Sequence, residues 1–248
     1  MKVSPLLVLT VLTASVSAQP AAPLAVPAEP FTEWSVRAHG GLAAFSLGDA
    51  AAFHQSVADA YVGAGVPVPT QRSFPAAPVA GLDVTTNLGA GRHIGLGVRY
   101  AATRAYSLYG DYAGTLDVVS TVRAVLVETV SYAEAGAGRA VRPYLGSRGG
   151  FVVATSGTEE RLDLGEFGAS ESTFGGSGTG FSAEGFGGLA AGRGRAGAFV
   201  QVGYRYARVP TLTGEARLNG ETVGEGELPY ALGLSGFTAT FGVTVRVR

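Results

Sequence analysis

Apolar and polar residues alternate along most of this chain with a period of two. Trp34, Val36, Ala38, Gly40, Leu42 and Ala44 share one face of segment 34–44; Ser35, Arg37, His39 and Gly41 share the other. That periodicity predicts a strand, because successive side chains of a pleated chain point to opposite sides. Segment 93–101 repeats it: Ile94, Leu96, Val98 and Tyr100 oppose Gly95, Gly97, Arg99 and Ala101. Six further segments read the same way, at 79–88, 115–132, 141–154, 180–190, 199–208 and 236–247. In the last, Phe237, Ala239, Phe241, Val243, Val245 and Val247 oppose Thr238, Thr240, Gly242, Thr244 and Arg246. Eight strands result. Most are near ten residues or longer, which suits a tilted strand crossing a bilayer better than the shorter strands of soluble sandwiches.

The connections alternate in length. Three are short and alike: Gly89-Ala90-Gly91-Arg92, Gly136-Ala137-Gly138-Arg139 and Gly192-Arg193-Gly194-Arg195. The glycine pairs Gly89/Gly91, Gly136/Gly138 and Gly192/Gly194 supply the positive φ angles of tight hairpins. The other connections span roughly 49–77, 155–179 and 209–235, with a shorter one near 105–113. Short turns at one end and long loops at the other form the plan of an outer-membrane barrel. Lipid offers backbone groups no hydrogen bonds, so a sheet immersed in it must close on itself. The expected fold is therefore all-β: an eight-stranded antiparallel up-and-down transmembrane β-barrel.

Composition agrees with that solvent. The chain holds 38 glycines in 248 residues, about twice the usual share, yet 46% of it is hydrophobic, which disordered glycine-rich chains are not. There is no cysteine, which removes disulfides, thiolate metal sites and thiol nucleophiles. A net charge of −1 argues against nucleic-acid binding. Lys2, the apolar run Leu6–Leu12 and the small residues Val16-Ser17-Ala18 read as a secretory signal peptide over 1–18. Four prolines in 19–30 read as an extended tether, which leaves 31–248 for the barrel.

With signal peptide, strand number, loop alternation and the ending SGFTATFGVTVRVR in view, residues 31–248 resemble the small eight-stranded outer-membrane barrels, the OmpA/OmpX/OmpW-like group. The resemblance implies outer-membrane residence among lipid and lipopolysaccharide. It also implies recognition of the last strand, through Phe241, Val243, Val245 and Val247, by the barrel assembly machinery. The family favours a terminal aromatic residue, whereas this chain ends Val247-Arg248.

The strand phases place Arg37, Asp83, Arg99, Asp117, Arg123, Arg148, Glu184, Arg205 and Arg246 in the lumen. Strict alternation from Leu116 turns Glu128 outward, unless a bulge intervenes or it lies at the periplasmic interface. The expected network is structural, with arginines neutralised inside a barrel too narrow to stay empty. A narrow anion-favouring pore, or a path for small or hydrophobic solutes, is the alternative. In the first loop, Asp49 as N-cap and Phe53, Val57 and Tyr61 at i+4 spacing predict an amphipathic helix over 49–61. It either packs at the rim, plugs the lumen or lies on the membrane surface. The later loops are acidic and lack a calcium-binding spacing. His39, His54 and His93 fall in no catalytic motif. No catalytic residue, cofactor or metal is therefore expected. The leading expectation is a non-enzymatic barrel with a structural or surface-interaction role and an extracellular partner through its loops. A lipid A-modifying enzyme and a soluble lipocalin-like barrel rank below it, the latter because its polarity is the reverse.

Overall fold

A computed structural model describes residues 33–69, 74–112, 114–136, 139–192 and 194–247. The signal peptide, the tether, the start of the barrel near Phe31 and Gly138 lie outside these residues.

The barrel wall is built from β1 (Trp34–Phe45), β2 (Ala77–Asn87), β3 (Arg92–Asp111), β4 (Gly114–Glu134), β5 (Val141–Asp163), β6 (Ala169–Ala191) and β7 (Ala196–Val209). A hairpin of β8 (Thr213–Leu218) and β9 (Glu221–Glu227), a short β10 (Leu232–Gly233) and the final β11 (Gly236–Val247) complete the sheet. Each strand from β1 to β7 pairs antiparallel with the next. β11 pairs with β7 and then with β1, from Trp34↔Val247 to Phe45↔Gly236, so eight strands close a ring. The ring is staggered. Starting at Arg37, the cross-strand partners are Asp83, Gly97, Glu128, Gly150, Ser182 and Ala207. Ala207 accepts the Leu234 N–H, and the β11–β1 register extended by two then arrives at Leu47, ten positions above the start. Such a stagger tilts the strands and fixes the radius.

The outer surface of the ring is apolar. Leu82, Leu96, Leu145, Phe151, Val202 and Phe241 are each about half exposed or more. A soluble monomer rarely exposes a continuous belt of this kind. Twelve residues of β1 at ~3.3 Å each, inclined by ~40°, rise about 30 Å, the thickness of a bilayer's hydrocarbon core. Allowing for the stagger, Tyr100, Phe151, Phe181, Tyr206 and Phe237 reach one level and form an aromatic girdle at the upper edge. The polarity is the reverse of a lipocalin's. Among the described residues, no helix is long and apolar enough to cross a membrane.

At the lower end the glycine turns behave as the sequence suggests. Gly89, Ala90 and Gly91 take φ of 90°, 51° and 72°, and the Arg92 N–H closes the turn on Gly89 O at 3.0 Å. Gly136 and Gly194 also have positive φ, at 77° and 71°.

The upper end departs from expectation in two ways. Segments 105–113 and 155–179 are largely strand rather than loop. β3 to β6 run for 20 to 23 residues, against 12 for β1 and 11 for β2. Neither face of these extensions meets lipid, so in upper β5 and β6 the apolar alternation that marks strands lower down gives way to Thr-, Ser- and Gly-rich sequence while the pairing continues. The third long loop, 209–235, likewise contains β8 and β9. β8 pairs with upper β6, from Ser172↔Leu218 to Ser177↔Thr213, and so continues the wall above the end of β7. The rim is therefore slanted, tall along β3–β6 and low along β1 and β2.

The second departure is the phase of β4. Leu116, Val118, Val122, Leu126 and Glu128 are buried, whereas Asp117 and Arg123 are exposed on the outside. The expectation that Asp117 and Arg123 face the lumen is corrected. Anchoring the phase on Leu116 as a lipid-facing residue caused the inversion. Leu116 lies above the lipid belt, where the apolar side of the wall faces a helix inside the barrel.

Candidate functional site

That helix, α1 (Gly48–Gly63), stands in the upper lumen. Leu47 precedes it without a side-chain cap bond; Asp49 is not the N-cap but sits in the first turn, where its charge suits the helix dipole. The buried stripe is Ala50, His54 and Ala58. Phe53, Val57 and Tyr61 flank it half-buried rather than forming its centre. Small residues on the stripe let the helix approach the wall closely. Leu47 and Ala50 pack with Val122, Leu126, Val152 and Leu234. Higher up, Ala58 packs with Leu116 and Val118. Phe53 packs at a tilt against Phe174 and Tyr230, with ring centroids 5.2 and 5.1 Å apart.

His54 fixes the helix to the wall. Its Nδ1 lies 2.7 Å from Ser120 Oγ and its Nε2 2.9 Å from Ser107 Oγ; Ser120 in turn bonds Thr158 at 2.7 Å. Burial lowers the His54 pKa below the usual 6.5 and so favours the neutral ring. Near the helix end, the Tyr61 hydroxyl donates to Glu160 at 2.9 Å. Burial first, then that bond, raises the Tyr61 pKa to about 12.

Below the helix lies a layer of charge. Arg148 donates to both oxygens of Asp83, at 2.7 and 2.9 Å, and His39 Nε2 stands 3.6 Å from the same carboxylate. Arg99 donates to Glu128 through Nε at 2.8 Å and through Nη2, and to Glu184 at 2.5 Å. Glu128 also accepts from Ser182 at 2.7 Å. Glu184 accepts from Arg205 at 3.0 and 3.1 Å and from Thr238 at 3.1 Å. All these ionic side chains are at most 1% exposed. Two glycines make room for them. A Cβ on Gly97 would overlap Asp83 Oδ1, and one on Gly81 would lie 2.6 Å from both Arg99 Cγ and His39 Cε1.

A third layer lies beneath. Arg37 is 1% exposed and sits among the rings of Phe199, Tyr132 and Tyr144, at 4.0, 4.5 and 4.8 Å. Its three guanidinium nitrogens have no hydrogen-bond partner among the described residues. The quadrupoles of the rings take the place of a counter-ion. Arg246 is half-buried at the lower mouth, where Arg142 pairs with Glu134 at 2.8 Å.

Of the lumen residues expected from sequence, the charge layer unites Asp83, Arg99, Arg148, Glu184 and Arg205. Arg37 and Arg246 lie below it, and Asp117 and Arg123 lie outside the barrel. Sequence reasoning missed Glu128, the His54 contacts and the aromatic box. The signal for Glu128 was present: a carboxylate amid Leu126 and Val130 is far cheaper facing arginines than facing lipid. Among the described residues, no group of three or more His, Asp or Glu could hold a metal ion.

A second feature lies on the outer face of the tall wall. The register lines up Arg104, Thr121, Gly157, Gly175, Glu215 and Glu225 across β3, β4, β5, β6, β8 and β9. One row lower, Arg123, Thr155, Ser177 and Thr213 are aligned in the same way. Together they line a groove of about 650 Å³. Its floor is bare backbone at Gly157 and Gly175; arginines stand on one wall and carboxylates on the other, with Glu215 ion-paired to Arg217.

No protein-family model and no curated protein matches the chain. Solved structures do resemble it. The Neisserial surface protein A, NspA, is 14% identical over 86% of this chain and 95% of its own, with a TM-score of 0.36. The outer membrane protein OprG from Pseudomonas aeruginosa is 12% identical over 88% and 96%, with a TM-score of 0.45. Ail, the attachment invasion locus protein of Yersinia pestis, solved with the heparin analogue sucrose octasulfate, is 11% identical over 87% and 97%, with a TM-score of 0.32. These neighbours are small outer-membrane β-barrel proteins.

Proposed function

We propose that this chain is exported by the leader at 1–18 and resides in a Gram-negative outer membrane as a closed, non-enzymatic barrel. It meets the outside through its tall upper wall. The observation that carries this reading is the occupied lumen: an aromatic box, a charge layer and a helix succeed one another along the barrel axis. Each is buried, so ions and solutes meet packed side chains at three levels. The one histidine bonded to serines, His54, is wholly enclosed, and its contacts serve attachment of α1. β11 carries Phe241, Val243, Val245 and Val247 outward, as an assembly signal for the barrel machinery would require.

The test is single-channel recording in planar bilayers, paired with heat-modified gel mobility to show a folded barrel. A folded barrel without conductance steps is the expected result; regular steps would overturn the closed-lumen reading. The pore reading finds its support in α1, which is attached between strands rather than built into the wall. Deleting 48–63 separates the two, because the charge layer still closes the barrel below. Conductance in that deletion would make the helix the gate.

A further inference from the structure

We propose that the outer groove binds the phosphorylated sugar head of a glycolipid from the surrounding leaflet. Arg104 and Arg123 hold its phosphate, and the carboxylate wall takes its sugar hydroxyls. This rests on the outer-membrane reading.

Position is the first argument. Arg123 lies two residues above the lipid-facing Val125 on β4, and Arg104 lies four above the girdle residue Tyr100 on β3. Both point outward and are exposed. A side chain just above an aromatic girdle reaches the level of lipid head groups. Charge is the second argument. Neither arginine has an ion pair among the described residues, and Arg104 is opposite Thr121, two residues from Arg123 on the adjacent strand. Two neighbouring guanidinium forks with free donors match a phosphate monoester, which accepts several charge-assisted hydrogen bonds.

Shape is the third. The Gly157–Gly175 floor lets a sugar ring approach the backbone, and Thr121, Thr155, Ser177 and Thr213 edge it with hydroxyls. Glu159, Glu215 and Glu225 stand higher and farther from lipid. Carboxylates there accept hydrogen bonds from sugar hydroxyls but repel a second phosphate. The order is therefore phosphate near the membrane and sugar above it, as in a glycolipid whose acyl chains lie along the belt.

The test reconstitutes full-length protein into phosphatidylcholine nanodiscs containing a small fraction of either monophosphoryl lipid A, whose sugar head carries a single phosphate monoester, or phosphatidylglycerol. Mass spectrometry then measures the lipid retained on repurified protein. The wild type should retain lipid A and not phosphatidylglycerol. R104Q/R123Q should retain roughly tenfold less or lower, given the usual contribution of charge-assisted bonds. R92Q, an exposed arginine at the opposite rim, should match the wild type. E215Q/E225Q should weaken lipid A retention without creating phosphatidylglycerol retention. Equal retention by R104Q/R123Q, or equal retention of both lipids by the wild type, overturns the proposal while leaving the membrane reading intact. Failure of any variant to enter nanodiscs shows in heat-modified mobility; failure of the wild type overturns both.

Discussion

Replacing Glu128 by glutamine removes one charge from the lumen and keeps the side chain's shape. The carboxylate is buried and accepts from Arg99 and Ser182. Arg99 keeps Glu184, but Glu184 already serves Arg205. Four buried arginines, Arg37, Arg99, Arg148 and Arg205, would then face two carboxylates, Asp83 and Glu184, instead of three. Breaking a buried ion pair by removing one partner costs ~3–5 kcal/mol. Glutamine retains an acceptor oxygen for Arg99, so the lower end applies, about 3 kcal/mol. Glu128→Leu loses that acceptor as well and should cost more. The sign is the decisive quantity. Had β4 the opposite phase, residue 128 would face lipid, and either substitution would stabilise the barrel by removing a charge from hydrocarbon. Equilibrium unfolding in denaturant from detergent micelles, followed through the single tryptophan, Trp34, measures the change. Arg123→Leu serves as the reciprocal control, since an exposed residue outside the lumen should stay within about 0.5 kcal/mol. A Gln variant as stable as the wild type, or an Arg123 variant as damaged as Glu128→Leu, would refute the register.

Other outcomes follow from the same layers. The His54 pKa is lowered by burial in the docked helix, so docking is fully favourable above about 6.5 and weakens as pH falls below it. Ser107, Ser120 and Thr158 are the groups hydrogen-bonded around it; the other titrating groups nearby are Asp49, Asp59 and Tyr61 on α1 and Glu160 of β5, which accepts from Tyr61. Hydrogen exchange of residues 48–63 should therefore quicken on acidification, and His54→Asn should flatten that dependence; a slope unchanged in the variant removes His54 as its source. Arg37→Leu leaves no buried carboxylate stranded, so its unfolding midpoint should hold or rise, whereas Arg148→Leu strands Asp83 and should lose ~3–5 kcal/mol. Equal losses in these two would mean that Arg37 has an anionic partner. Gly97→Val puts a branched side chain where Asp83 Oδ1 lies, and the heat-modifiable folded band should diminish; a normal folding yield would show that the Asp83–Arg148 pair can shift.

The lower barrel was legible in the sequence because two different solvents mark its two faces. Lipid selects Leu96, Val98 and Val202 on one side; the narrow lumen selects Arg99, Gly97 and Arg205 on the other. Alternation is strong wherever both conditions hold, and every strand phase read there stands except that of β4. The upper wall lost its signature for the same reason. Around Thr155–Thr158 and Gly175–Gly178 one face meets water and the other a helix or polar neighbours, so the period persists in geometry but not in hydrophobicity. In β4 the alternation of buried and outward positions never breaks, although Ala124–Val127 is apolar on both faces. What changes is the meaning of its apolar side, and a rule that equates apolar with lipid-facing must invert there. The helix was visible through its i+4 spacing, yet its seat was not. Aromatic spacing nominated Phe53, Val57 and Tyr61, while the closest approach to the wall is made by alanines and a histidine.

The slanted rim accounts for the helix. β1 and β2 end near the top of the lipid belt, while β3–β6 continue about 25 Å higher, taking ~10 further residues at ~3.3 Å and a ~40° tilt. A wall that rises on one side only exposes its inner face: Leu116, Val118, Val122 and Leu126 would meet water above the charge layer. The chain covers that face with the segment linking the two short strands, because β1 and β2 end where the cover is needed. The inner face of the tall wall can then be apolar, which is why β4 reads Leu-x-Val-x-Ser-x-Val inward at 116–122 and why its outer side is free to be polar. Removing α1 should therefore expose an apolar surface at the top of the barrel rather than open a channel. Increased binding of a hydrophobic dye without conductance is the expected signature of the 48–63 deletion; conductance would mean that the helix, and not the charge layer below it, closes the lumen.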